Sequence, residues 1–151
     1  MSKVSEIFDS LVTRVSAVLP SYTHMPDAYS LKSNANIDLF KGFAVGIGPT
    51  VPAGTQEGFC DKYMFDTIYF VTVSNDYNII TNTDSRNTDE KSITEDLYLV
   101  TKDLLKNFRL GGLTVDISFN DTSGPSYLNE DEKRFLISAA SYRVRYQENL
   151  S

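Results

Sequence analysis

Near the C-terminus, Leu113 to Phe119 alternates apolar and polar side chains, and a longer apolar-rich run follows from Arg134 to Gln147. Alternation puts Leu113, Val115, Ile117 and Phe119 on one face of a strand, with Thr114, Asp116 and Ser118 opposite. Asn120-Asp121-Thr122-Ser123-Gly124-Pro125 reads as the turn between the two runs. The second run is about twice the usual strand length, and such a strand is hard to pair fully inside a small domain. It predicts pairing or packing against something outside the subunit. Its phase changes partway: Phe135, Ile137 and Ala139 share one parity, and Tyr142, Val144 and Tyr146 the other. A bulge near Ala139-Ala140-Ser141 would restore a single apolar face.

The other elements follow from periodicity. Val4, Ile7, Phe8, Leu11, Val12, Val15, Val18 and Leu19 form a helical stripe that Pro20 ends. Ser21 to Lys41 is polar and irregular. Gly42 to Gly48 reads as a short, glycine-thinned strand, and Pro49 to Gly58 as a loop, because two prolines and two glycines disfavour helix and ladder alike. Lys62 to Ser74 is a long strand ending in Ile68-Tyr69-Phe70-Val71-Thr72-Val73, which is entirely β-branched or aromatic. After a loop from Asn75 to Asn87, Thr88 is placed to cap a second helix from Asp89 to Phe108 with the stripe Ile93, Leu97, Val100, Leu104 and Phe108. Gly111-Gly112 stops it. The economical arrangement is an α+β domain spanning residues 1–151: a four-stranded, mostly antiparallel sheet with both helices packed on one face.

Bulk properties restrict the function classes. A chain of 151 residues with 41% apolar and 12% aromatic residues can build a core and bury roughly 70% of its unfolded surface. No run approaches the ~20 apolar residues of a membrane span, and the N-terminal segment lacks the pattern of a signal peptide. The single cysteine, Cys60, excludes an internal disulfide and fits synthesis in a reducing cytosol. A net charge of −6 argues against gripping nucleic acid through its phosphates, while leaving room for a surface past which nucleic acid slides.

No residue set reads as catalytic, cofactor-binding or metal-ligating. His24, the only histidine, lies in a polar stretch far from Cys60, and no third residue is placed to orient such a pair. One His and one Cys leave only carboxylates for a metal. The acidic run Asp84, Asp89, Glu90, Glu95, Asp96 reads first as a solvated helix start favoured by the dipole. Gly46-Ile47-Gly48 precedes prolines rather than a helix, so it offers no N-terminus to a pyrophosphate. Arg143 and Arg145, alternating with Tyr142, Val144 and Tyr146, resemble a nucleic-acid strand until the nearby Glu130, Asp131, Glu132 and Glu148 are counted.

The order is an amphipathic helix, a Pro/Gly loop, Ile68–Val73, a second helix, then Leu113–Phe119 and the closing Tyr142-Arg143-Val144-Arg145-Tyr146. This whole-length pattern resembles the tail terminator (tail completion) proteins of long-tailed bacteriophages, the lambda-type minor tail protein U group and its neck relatives. The likeness rests on element order, size and the aromatic last strand, since the family has no catalytic signature.

The resemblance implies a virion protein assembled in the host cytoplasm. It would form a homo-oligomeric, hexameric ring that caps the tail tube, stops its polymerisation and meets the head connector or stopper protein. Genomic DNA would pass through the ring without specific binding. On this reading Pro49, Thr50, Val51, Pro52 and Gly54, with Tyr142, Val144 and Tyr146, are the partner-binding candidates. Asp84, Asp89, Glu90, Glu130, Asp131 and Glu132 are the channel-lining candidates. Two rivals are another neck component, such as a stopper or connector, and an α+β ligand-binding or enzyme domain with its pocket under the Pro49–Gly58 loop.

Overall fold

The computed structural model describes residues 2–25, 41–53, 62–76, 83–130 and 133–149. Along the chain lie α1 (Lys3–Val18), β1 (Thr23–His24), β2 (Gly42–Pro52), β3 (Lys62–Asp76), α2 (Thr83–Lys106), a 3-10 turn (Leu110–Gly112), β4 (Asp116–Glu130) and β5 (Lys133–Asn149). The strands form one sheet in the order β1-β2-β3-β5-β4. β1 runs parallel to β2, and every other neighbouring pair is antiparallel. The fold is α+β with a mixed sheet and two helices, but the sheet has five strands rather than the expected four. The additional strand is two residues long, too short to leave an alternation in the sequence.

Both helices contribute to one core against one sheet face. Ile7, Leu11 and Val15 of α1 and Ile93, Leu97, Val100 and Leu104 of α2 pack with Phe43, Val45, Tyr69, Val71, Val73, Tyr142, Val144 and Tyr146. The helical stripes read from sequence are therefore the buried stripes. Ser2 caps α1, its hydroxyl accepting from the Ser5 N–H at 3.3 Å. Polar groups tie the layers: the Tyr69 hydroxyl donates to the Val4 carbonyl at 2.9 Å. Arg14 bridges α1 to Asp103 of α2, with Nη2 to Oδ1 at 2.6 Å and Nε to Oδ2 at 3.0 Å.

Several boundaries differ from expectation. β2 continues through Pro49 to Pro52, which had been read as loop, and pairs with β3 across a register shift between Ile47 and Thr50. Proline is tolerated there because, among the described residues, β2 is covered on its outer side only at Gly42 and Phe43, so a missing N–H on that side breaks no described ladder bond. Phe70 lies over the glycines of β2: a Cβ on Gly48 would stand 2.8 Å from its ring. α2 begins at Thr83, so Thr88 lies inside the helix rather than capping it, and Phe108 falls just beyond its end. Positive φ at Leu110, Gly111 and Gly112 then redirects the chain.

The C-terminal hairpin departs most. Asn120–Pro125 does not turn the chain; β4 runs straight through it, with register shifts between Phe119 and Asp121 and between Ser123 and Ser126. These bulges lie on β4, whereas β5 keeps an unbroken register with β3 from Phe135 to Asn149, so no bulge occurs at Ala139–Ser141. The 17-residue β5 is paired along both edges inside the subunit, because β3 and β4 are themselves 15 residues long. Its length does not demand a partner from outside. The two apolar parities are also both used: Leu136, Ala140, Tyr142, Val144 and Tyr146 enter the helix-side core, while Phe135 and Ile137 are buried outside that cluster.

Candidate assembly surface

The sheet ends at β4, and among the described residues no strand pairs with its outer edge. α2 runs beside this edge strand and presents two adjacent stripes. Ile93, Leu97, Val100 and Leu104 are buried, while Thr94, Tyr98, Thr101 and Leu105 form the next ridge at the same helical spacing. That second ridge and Phe119 and Thr122 of β4 wall a groove of about 410 Å³. Gly124 and Pro125, at the second bulge, close its far end, and none of its lining residues is charged. Tyr98 is 60% exposed, Phe119 47% and Leu105 41%. Three large apolar side chains around one concave site form a patch of the kind that binds a partner or a ligand. Phe119 is held edge-on to Tyr142, with ring centroids 6.3 Å apart.

The partner-binding candidates divide. In β2, Val51 is 54% exposed on the sheet edge and Ile47, not singled out from sequence, is 50% exposed. The Thr50 hydroxyl instead joins a chain to Thr67 at 2.7 Å and on to the Tyr146 hydroxyl at 3.0 Å. Pro49 and Pro52 are strand residues, and Gly54 lies outside the described residues. Tyr142 and Val144 are fully buried and Tyr146 is 2% exposed. As side chains they hold the core, and reaching a partner would require opening it. The Tyr142 hydroxyl is 2.7 Å from Thr101 Oγ1, on the floor of the groove. Burial pushes the Tyr142 phenol up, against a smaller opposing effect of that bond.

The acidic candidates come together in part. The Tyr127 hydroxyl donates to Glu90 at 2.7 Å, which ties the early part of α2 to the last third of β4. Asp89 and Glu90 are half-buried, and Asp84 lies in the first turns of the same helix. β4 reaches Glu130, which stands opposite Lys133 in the backbone ladder, while Asp131 and Glu132 lie outside the described residues. The Tyr127–Glu90 bond thus places Asp89 and Glu90 of α2 beside the last third of β4.

On the outer sheet face, Arg145 pairs with Asp66 across β5 and β3, and Arg143 is exposed beside it. Asp66 raises the Arg145 pKa further, first through their hydrogen bonds and then by its charge. His24 stacks at a tilt on Phe43, with centroids 5.2 Å apart; Cys60 lies outside the described residues. Among the described residues no three His, Cys, Asp or Glu side chains gather as metal ligands would, and no helix is long and apolar enough to cross a membrane. No protein-family model matches the chain, and no curated protein matches it.

Sequence reasoning missed the groove. Its signal was present: Tyr98 and Leu105 are apolar residues on α2 in excess of the buried stripe.

Proposed function

We propose that the protein is a structural subunit of a bacteriophage neck, forming a ring that caps the tail tube, halts its polymerisation and joins it to the head connector. The observation that carries this reading is the uncharged groove beside the outer edge of β4. An edge strand next to exposed Phe119, Tyr98 and Leu105 is an aggregation hazard in a monomer and an asset in a closed oligomer. The net charge of −6 suits a channel through which DNA slides. The end of the subunit that carries Asp89 and Glu90, where the early part of α2 meets the last third of β4, is the surface to face that channel. Val51 and its neighbours on β2 are the surface to meet another virion protein. Another stopper or connector of the same neck shares this reasoning and differs in its docking partner.

Light scattering on the purified protein, alone and with tail tubes, tests the reading. A ring-sized mass in solution, or one that forms only on tubes, supports it; a monomer that also ignores tubes ends it.

A second reading has its own observation. A volume of about 410 Å³ with a nearly wholly apolar lining lies within the range of small-molecule sites. It lies between α2 and β4, and residues 54–58 of the loop expected to cover a pocket lie outside the described residues. Saturable quenching or enhancement of an apolar fluorophore, with a raised melting temperature, would favour an apolar-ligand-binding domain.

A further inference from the structure

The sheet has two unequal ends. Among the described residues, β4 has no outer partner at one end, and at the other β2 is covered only at Gly42 and Phe43, by β1. Successive pairs β2/β3, β3/β5 and β5/β4 are all antiparallel, so β2 and β4 run in opposite directions. A second copy placed head-to-tail beside the first would therefore bring its β2 antiparallel to β4, and the ladder would continue without a change of polarity. The faces agree as well. Ile47 pairs with Tyr69 and Phe119 with Tyr142, and both tyrosines belong to the helix-side core. The exposed Ile47 of the incoming copy and the exposed Phe119 of the receiving one thus stand on the same side of the joined sheet. There Tyr98 and Leu105 leave their apolar groove open.

Charge matches too. β2 from Gly42 to Pro52 contains no charged residue, and neither does the groove lining. Two charges border the joint and each has a partner of its own: Asp116 stands opposite Arg145 in the ladder, and the Lys102 ammonium lies over the Tyr98 ring at 5.6 Å from its centroid. Joining the surfaces therefore leaves neither charge unpaired, the condition that most often defeats a buried interface. The bulges after Phe119 and after Ser123, with Pro125, limit pairing on β4 to short segments. They guard the remainder of the edge against indiscriminate association.

From these relations we infer that a second copy of this chain is the occupant of the groove, seating the outer edge of its β2 along the Asp116–Phe119 segment of β4 with Ile47 over Tyr98 and Leu105. The contact is heterologous, so each subunit offers one donor edge and one acceptor edge, and repetition closes a ring. The inference rests on the ring reading above and names its joint.

Ile47→Lys spoils the donor edge and Phe119→Lys the acceptor edge, both at half-exposed positions where the fold itself loses little. Each variant alone is expected to run as a monomer by light scattering, with a melting temperature near that of the parent. An equimolar mixture is expected to give a dimer and nothing larger, because one intact donor meets one intact acceptor. If lysine unfolds either variant, Ile47→Thr and Phe119→Thr replace them. If the parent assembles only on tail tubes, each variant is expected to fail there.

Dimers from Ile47→Lys alone, with no gain on mixing, would mean a symmetric β4–β4 contact and overturn the inference. Intact rings in both variants overturn it while leaving the ring reading standing. A parent that is monomeric with and without tubes removes both.

Discussion

Arg145 grips Asp66 at two points across the central strand pair, Nε to Oδ1 at 2.9 Å and Nη2 to Oδ2 at 3.1 Å. The partners are unequal: the Asp66 side chain is 9% exposed and that of Arg145 45%. Removing the arginine leaves a nearly buried carboxylate without its partner, whereas removing the acid leaves a guanidinium that water can solvate. Arg145→Ala is therefore expected to destabilise by about 1–3 kcal/mol. Asp66→Asn is expected to cost less, about 0.5–1 kcal/mol, since the exposed end of the pair is screened. Urea unfolding of the two variants checks the order, and equal or reversed losses would contradict this account.

Tyr142 distinguishes a core role from a contact role. Its ring is fully buried and its hydroxyl meets Thr101 Oγ1 at 2.7 Å, while Thr101 also donates to the Leu97 carbonyl at 3.1 Å. Tyr142→Phe leaves Thr101 with a partner and is expected to cost about 0.5–1.5 kcal/mol. Tyr142→Ala opens a large cavity under the groove and is expected to cost about 3–5 kcal/mol. Tyr142→Phe should leave the mass in solution unchanged, as read by light scattering, because the lost hydroxyl faces inward.

The sequence was most legible where a period had room to repeat. The stripe Ile7, Leu11, Val15 and the stripe Ile93, Leu97, Val100, Leu104 are the buried faces of α1 and α2, and Val71 and Val73 with Tyr69 lie in the core as their β-rich run implies. Legibility failed where residue type and position compete. Asn120–Pro125 has turn composition, yet on an edge strand those residues are absorbed as two bulges, because an outer edge with no strand partner among the described residues forgives glycine and proline. The same forgiveness hides Pro49 and Pro52 inside β2. The length of β5 pointed outward because the turn composition of Asn120–Pro125 ends the preceding strand at Phe119, whereas β4 runs on to Glu130 and, with the long β3, pairs β5 along both edges. The groove depends on α2 lying beside β4, a tertiary relation that no local pattern carries.

Two glycines on edge strands should respond oppositely to alanine. A Cβ on Gly48 would stand 2.8 Å from Phe70 Cε2 and 3.1 Å from the Ile68 carbonyl oxygen, so ring and backbone must both give way. Gly48→Ala is expected to destabilise by about 1–3 kcal/mol. A Cβ on Gly124 meets nothing within 4 Å. Gly124→Ala is expected to stabilise by about 0.4–1 kcal/mol through the unfolded chain. Thermal melts of both variants decide the matter, and matching shifts of the same sign would refute the packing argument.

Alkaline pH should unfold the protein through its buried phenols. Burial is the largest cause raising the pKa of Tyr22, Tyr69 and Tyr142, and for Tyr22 the Asp96 carboxylate, 2.7 Å from its hydroxyl, adds to it. An unfolded tyrosine ionises near about pH 10. Below that, both states hold the proton and stability is unaffected. Above it, the unfolded chain loses protons that the folded chain retains, so the folded state binds more and stability falls as pH rises. Each such group contributes a slope of about 1.4 kcal/mol per pH unit until its own folded value is reached. Urea midpoints are therefore expected to hold steady up to about pH 9.5 and to drop steeply above about pH 10, with phenolate absorbance rising in step with unfolding. Tyr22→Phe and Tyr69→Phe should each flatten the slope by one proton; a slope that neither substitution changes would assign the alkaline transition to other groups.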